Sequence, residues 1–198
     1  MNILITGAAG FIGSHLFRHL AAKGEHTITL FDKELPNLYG YEGVEAVVAP
    51  LSNTFALREA IHFSKPDVVF HLAAARSVPE SFERPRDYID SNISGTKYLL
   101  DACVEAKVPR VVMASSSSVY GEQESPLHPM LGMRPRSPYG ASKAAMEFLA
   151  LTYSQGFGIQ TVCLRYFNVY GPGQLYAGKH SALFPAIRHA YETGEPMQ

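Results

Sequence analysis

Six short apolar runs recur along the chain with little polar alternation: Asn2 to Thr6, His26 to Phe31, Glu45 to Ala49, Asp67 to Leu72, Arg110 to Ala114 and Gln160 to Arg165. Runs of this kind are what the strands of a parallel sheet covered on both faces require. The intervals between them are long enough for crossover helices. Ser14 to Lys23 carries Leu16, Phe17 and Leu20 at helical spacing and stops before Gly24, which predicts a short amphipathic helix. Two longer helices are predicted. One runs from Asp87 to Ala106, with Leu99, Leu100, Cys103 and Val104 on its apolar side; the other runs from Pro138 to Gln155, with a proline suited to the first turn. Tyr120 to Tyr139 holds Pro126, Pro129, Pro135 and Pro138 without periodicity, so it reads as a loop stiffened by proline. The alternation of strand and helix predicts a doubly wound α/β domain.

Composition narrows the class. The 198 residues are 46% hydrophobic and 18% charged, which excludes a disordered tail and suits one sizeable core. Seventeen Lys and Arg against eighteen Asp and Glu give a net charge of -1 with no long run of either sign. That leaves no electrostatic footprint for nucleic acid or a membrane surface and favours a small, neutral-to-anionic ligand. Cys103 and Cys163 lie in apolar stretches without CxxC or paired histidines, so both are expected to be buried free thiols and no metal is expected. The N-terminus enters a strand pattern at once, and no apolar run approaches the ~18 residues of a membrane helix. A soluble, cytoplasmic protein is the expectation.

Two motifs carry chemistry. Gly7-Ala8-Ala9-Gly10-Phe11-Ile12-Gly13 follows the first strand and opens the first helix. Gly7 permits the turn, Gly10 allows backbone to approach a pyrophosphate at the helix N-terminus, and Gly13 lets helix and sheet pack closely. Asp32, at the end of the second strand, is placed to accept the adenosine ribose hydroxyls, which favours NAD over NADP. Lys33 beside it could instead accept a phosphate, so the choice between the two cofactors stays open. Further on, Tyr139 and Lys143 are four residues apart at the start of a helix and therefore share a face. A nearby cation favours the phenolate, making the pair a candidate base. The serines 115–118 end the fifth strand at the carboxyl edge of the sheet, where ligands bind in such folds, and one of them can hydrogen-bond a reacting oxygen.

With these residues assembled, the chain resembles the extended short-chain dehydrogenase/reductases, specifically the nucleotide-sugar epimerase/dehydratase family, and the fold implied is a Rossmann-like doubly wound parallel sheet. The resemblance runs through the GxxGFIG turn, His71-Leu72-Ala73-Ala74, Asn92-Ile93-Ser94-Gly95-Thr96, Ser-Ser-Ser-Val-Tyr-Gly, Ser-Pro-Tyr-Gly-Ala-Ser-Lys, and the segment from Leu164 to Pro172. It implies that Ser116, Tyr139 and Lys143 are catalytic, Lys143 also bonding the nicotinamide ribose. By the same resemblance, Phe11, Ile12, Leu51, Leu72, Ala73, Ala74, Asn92 and Tyr166 match cofactor positions, and Arg76 falls near the pyrophosphate. Val78, Ser117, Asn168, Ala182 and Leu183 match positions that hold the sugar nucleotide. His71 reads better as a packed core histidine than as a catalyst.

Dehydratases of this family place an acid pair after the catalytic hydroxyl residue; here those positions are Ser117 and Ser118. Serine cannot act as a carboxylic acid/base pair near pH 7, which leaves oxidation and reduction at one sugar carbon, most economically 4-epimerisation of a UDP-sugar with NAD. A dehydrogenase or reductase that releases NADH and a non-catalytic NAD-binding module remain alternatives. Pro50 stands where the family commonly has an adenine-binding acid. The resemblance further implies a homodimer packed through the two long helices. It also implies a domain boundary near residue 175, with residues 176–198 opening a substrate lobe that is largely absent.

Overall fold

A computed structural model describes residues 1–41, 43–175 and 183–194. Its sheet has six parallel strands: β1 (Asn2–Thr6), β2 (Thr27–Asp32), β3 (Glu45–Val48), β4 (Val68–His71), β5 (Arg110–Ser116) and β6 (Gln160–Tyr166), in the order β3-β2-β1-β4-β5-β6. The chain winds outward from β1 in one direction and then, after a crossover to β4, in the other. The carboxyl ends of β1 and β4 therefore flank the switch point at which open α/β sheets bind ligands.

Helices α1 (Phe11–Ala21), α2 (Thr54–Ser64), α5 (Gly95–Glu105) and α6 (Pro138–Phe157) serve as the crossovers, and two short helices, α3 (Val78–Glu83) and α4 (Pro85–Tyr88), follow β4. The main core is built on the face covered by α2, α5 and α6, from Leu57, Ile61, Val69, Leu99, Leu100, Val111, Met113 and Met146. A smaller cluster, Ile3, Ile5, Phe17, Leu30 and Val68, seals α1 against the other face.

All six expected strands are present, and two expectations are corrected. The helix expected from Asp87 to Ala106 is interrupted: Ile89–Ser94 is π-helical, between α4 and α5. A π turn carries one extra residue, which rotates the side chains after it relative to an α-helical register. Nor are all strands covered on both faces within the first compact unit, because Val162 and Leu164 on β6 are 46% and 39% exposed. Cys103 is fully buried, whereas Cys163 is only half-buried.

Two compact units divide at 166/167, Met1–Tyr166 and Phe167–Gln198, where the sequence suggests a boundary near 175. Of the second, the described part holds α7 (Leu183–Thr193) and a stacked Tyr170–Phe184 pair with ring centroids 4.4 Å apart. Among the described residues, no helix is long and apolar enough to cross a membrane.

Candidate active site

The turn after β1 is shaped by its glycines. Gly7 has φ +75°, and a Cβ there would lie 2.5 Å from the Ala73 nitrogen, so β1 and the segment after β4 can approach only because the side chain is missing. Gly10 N-caps α1 but has no side chain to cap with, and the first turn of α1 carries no acid. By contrast, Asn53, Ser77 and Ser137 cap α2, α3 and α6 with their side chains. The first helical bond of α1 runs from Ser14 N–H to Gly10 O at 2.9 Å, which directs the preceding N–H groups of Phe11, Ile12 and Gly13 out of the helix end. An uncapped, partly positive helix end fits a pyrophosphate.

Asp32 sits at the tip of β2 and accepts from Ala9 N–H (2.9 Å) and Glu34 N–H (3.1 Å), tying the glycine turn to the loop after β2. Each carboxylate oxygen keeps a lone pair for another donor. Lys33 is exposed and pairs only loosely with Glu34, at 3.8 Å. Leu72, Ala73 and Ala74 are half-buried and Arg76 is exposed.

Two residues expected to touch a cofactor are tied into the protein itself. Leu51 is buried in the main core, with its Cδ1 beneath Gly95. Asn92, in the π turn, is 1% exposed, and its amide is committed to protein. It accepts from Ala75 N–H (2.8 Å) and donates to Ala75 O (3.0 Å) and to Ser142 Oγ (2.9 Å). Ser142 in turn donates to Tyr139 O at 2.7 Å. Asn92 thus fixes the segment after β4 to the helix that carries Tyr139.

Ser116, Tyr139 and Lys143 come together at the carboxyl ends of β4 and β5. Ser137 caps α6 by accepting from Gly140 N–H at 3.0 Å, which starts the helix so that Tyr139 and Lys143 both face the sheet edge. The Lys143 ammonium donates to Ala114 O at 2.7 Å and lies 6.0 Å from the Tyr139 ring centroid. Burial lowers its pKa to about 8, a partial opposition coming from Cys163. Burial holds the Tyr139 phenol above its ordinary value, opposed by a hydrogen-bonding interaction with Ser116. Ser116 is itself buried, and its Oγ accepts from Ser118 N–H at 3.1 Å. Tyr139 also meets Tyr88 edge-on at 6.2 Å.

His71 is a core histidine, as the sequence suggests. Thr96 donates its hydroxyl proton to Asn92 O at 2.5 Å, so it accepts from His71 Nε2–H (3.0 Å), while Nδ1 accepts from the Thr6 hydroxyl (2.8 Å). Burial first, and the Lys143 charge second, lower its pKa from 6.5 to about 3. The unfolded chain therefore takes up a proton at pH 6.5 that the folded chain refuses until about pH 3, so stability falls as pH drops through that window. The acid side of the stability profile should lose roughly 1.4 kcal/mol per pH unit from this residue. His71→Gln, which keeps a donor and an acceptor, should show a shallower slope in urea unfolding between those limits.

Ser117 begins a 3₁₀ turn, Ser117–Val119, and Val78 is partly exposed at the first turn of α3. Tyr166 ends β6 as the register partner of Ser116, half-buried, its phenol pKa raised by burial. Asn168 and Leu183 belong to the second unit and are exposed; Ala182 lies outside the described residues. The sequence reading missed Tyr88, Ser142, Thr6 and Thr96, and also Glu147, whose signal is its place one helical turn beyond Lys143.

Known proteins match the chain over most of its length. The model of the NAD dependent epimerase/dehydratase family matches residues 3–198. The uncharacterized UDP-glucose epimerase YtcB of Bacillus subtilis (strain 168) is 39% identical over 184 residues, 88% of this chain and 58% of that protein. UDP-glucose 4-epimerase of Thermus thermophilus, solved with NAD, superposes with a TM-score of 0.85 at 36% identity, over 91% of this chain and 59% of that one. UDP-glucuronic acid 4-epimerase of Bacillus cereus, solved with UDP-glucuronic acid and NAD, superposes at 0.88 with 33% identity, over 100% and 65%. The chain spans 58–61% of the length of the first curated relatives it matches.

Proposed function

The chain belongs to the NAD dependent epimerase/dehydratase family, and from that membership we propose that it carries the cofactor site and catalytic residues of an NAD-dependent UDP-sugar 4-epimerase. The observation that carries this reading is the meeting of Ser116, Tyr139 and Lys143 at the carboxyl edge of the sheet, where the following turn offers Ser117 and Ser118 in place of an acid pair. Without carboxylic acids at that turn, the site has a group to move a hydroxyl proton but none suited to expel a hydroxyl.

The glycine turn and the α1 N-terminus would hold the pyrophosphate, Asp32 the adenosine ribose, and Lys143 the nicotinamide ribose. Bound there, NAD would supply a positively charged ring able to accept a hydride from C4 of the sugar and to donate one to it. Tyr139 Oη takes the proton of the 4-hydroxyl and later gives it back. Ser116 Oγ holds the same oxygen, and Lys143 favours the phenolate by its charge. In the free chain, burial keeps Tyr139 a neutral phenol near pH 7, so base strength develops only when further positive charge enters the site.

Residues 1–175 form the dinucleotide-binding domain in this reading, and residues 176–198 open the sugar-side lobe. Val78 and Ser117 of the first unit are assigned to the sugar nucleotide, and the chain to a homodimer packed through α5 and α6 that light scattering would detect. To test the function, the chain is incubated with NAD and UDP-glucose, UDP-glucuronate or UDP-N-acetylglucosamine, and the products are read by sugar NMR. A 4-epimer without net NADH is expected from at least one. Stoichiometric NADH without epimer would replace this reading with that of a dehydrogenase, and no change in any substrate would overturn it.

A further inference from the structure

One buried ion pair stands behind the catalytic residues without belonging to them. Glu147 projects from α6 one turn beyond Lys143, and Arg165 lies on β6; their side chains are 9% and 17% exposed. The contact is a fork: Arg165 Nε donates to both Glu147 oxygens (3.0 and 3.2 Å), and its Nη2 donates to Oε2 at 2.8 Å. Paired in this way, both groups are anchored far more firmly than an exposed lysine–carboxylate pair would be.

What the pair holds makes it more than a structural link. The Ser115 hydroxyl donates to Glu147 Oε1. Ser115 and Arg165 are register partners on β5 and β6, and the next register pair is Ser116 and Tyr166. Glu147 therefore grips both strands at one level, a single residue before the catalytic serine, from the same helix that carries Tyr139 and Lys143. Arg165 reaches the other way as well. Its Nη1 donates to Pro129 O at 3.0 Å, and its guanidinium lies 4.7 Å from the Tyr120 ring centroid. The loop after β5, whose Leu127, Leu131 and Met133 pack on Val119, Tyr120 and Ala144, is pinned by the same residue.

We propose that Glu147 and Arg165 are positioning residues that lock α6 to the ends of β5 and β6 and so set the distance between Ser116 and Tyr139. This rests on the catalytic roles proposed above, but its test does not depend on turnover. No helix packing would by itself require a charge-paired fork at this depth, since a well-packed apolar pair of similar volume often stabilises a fold as well or better. For the same reason, Glu147→Gln/Arg165→Met should fold: it removes both charges together and keeps an acceptor for Ser115.

The test is the ionisation of Tyr139 in the full chain, with and without NAD, by carbon NMR of tyrosine labelled at Cζ, assigned with Tyr139→Phe. If the pair sets the Ser116–Tyr139 contact, the double variant should ionise roughly one pH unit higher, because the phenolate loses a hydrogen bond. Ser116→Ala should raise it by a similar amount, and adding Ser116→Ala to the double variant should raise it no further. An unchanged titration in the double variant, or effects that simply add, overturns the proposal. Should the double variant fail to fold, Arg165→Lys carries the test: it keeps the charge and loses the fork, and an unchanged titration there overturns the proposal equally. With UDP-sugar as substrate, kcat should fall at least about tenfold while KM moves less than threefold. Lack of epimerisation by the wild-type chain would count against the proposed function and leave the titration result standing.

Discussion

Tyr139→Phe is expected to reduce the proposed epimerisation by about two to four orders of magnitude while leaving NAD affinity within roughly twofold, because positioned proton transfer contributes on that scale. The substitution removes one oxygen and little else. The ring keeps its edge-on contact with Tyr88, 6.2 Å between centroids, and the backbone carbonyl still accepts from Ser142. Lys143 is held by Ala114 O rather than by the phenol, so its ammonium stays in place for the proposed contact with the nicotinamide ribose. Loss of turnover with retained NAD binding would place Tyr139 in the chemical step. Loss of NAD binding in the variant would count against that role, and near-normal turnover would remove it. Burial holds the free chain's phenol above its ordinary value, so a second expectation is that Tyr139 ionises at lower pH with NAD bound than without it, read by carbon NMR of the labelled ring.

The sheet was legible in the sequence because a parallel strand buried on both faces needs little more than an unbroken apolar run. The elements that escaped are those where burial and periodicity part company. In α2, Leu57, Ala60 and Ile61 are buried while Phe55 and Phe63 are 74% and 69% exposed, so the apolar residues encircle the helix and no single stripe marks it. The π turn at Ile89–Ser94 escaped because apolar spacing does not report whether a helical bond spans four residues or five. Among site residues, the glycine turn and the Tyr139–Lys143 pair are local signals, fixed by one element each. Asn92 and Glu147 act through partners 17 to 50 positions distant, Ala75 and Ser142 for the first, Arg165 and Ser115 for the second, and a side chain's destination across such gaps is set only by the completed fold.

Gly13→Ala and Gly10→Ala should separate what the turn does for the fold from what it does for the cofactor. A Cβ at Gly13 would fall on the Gly7 carbonyl oxygen, 2.8 Å from its carbon and 2.9 Å from Ala8 Cα. All of these are backbone atoms, and Gly7 is itself pressed against Ala73, so the turn cannot yield without lifting α1 from the sheet. A loss of about 3 kcal/mol is expected in urea unfolding, at the upper end for a crowded core, together with more than tenfold weaker NAD binding. At Gly10 the added Cβ meets only Gly7 O, at 3.2 Å, and φ is -70°, which any residue adopts. Stability should then change by less than about 1 kcal/mol, the range of N-cap substitutions. NAD affinity should nevertheless fall by at least roughly tenfold if, as proposed, the backbone at Gly10 closely approaches the pyrophosphate. The contrast is the informative result. If Gly10→Ala binds NAD like the wild-type chain, the α1 N-terminus is not where the pyrophosphate sits, and the glycines serve packing alone.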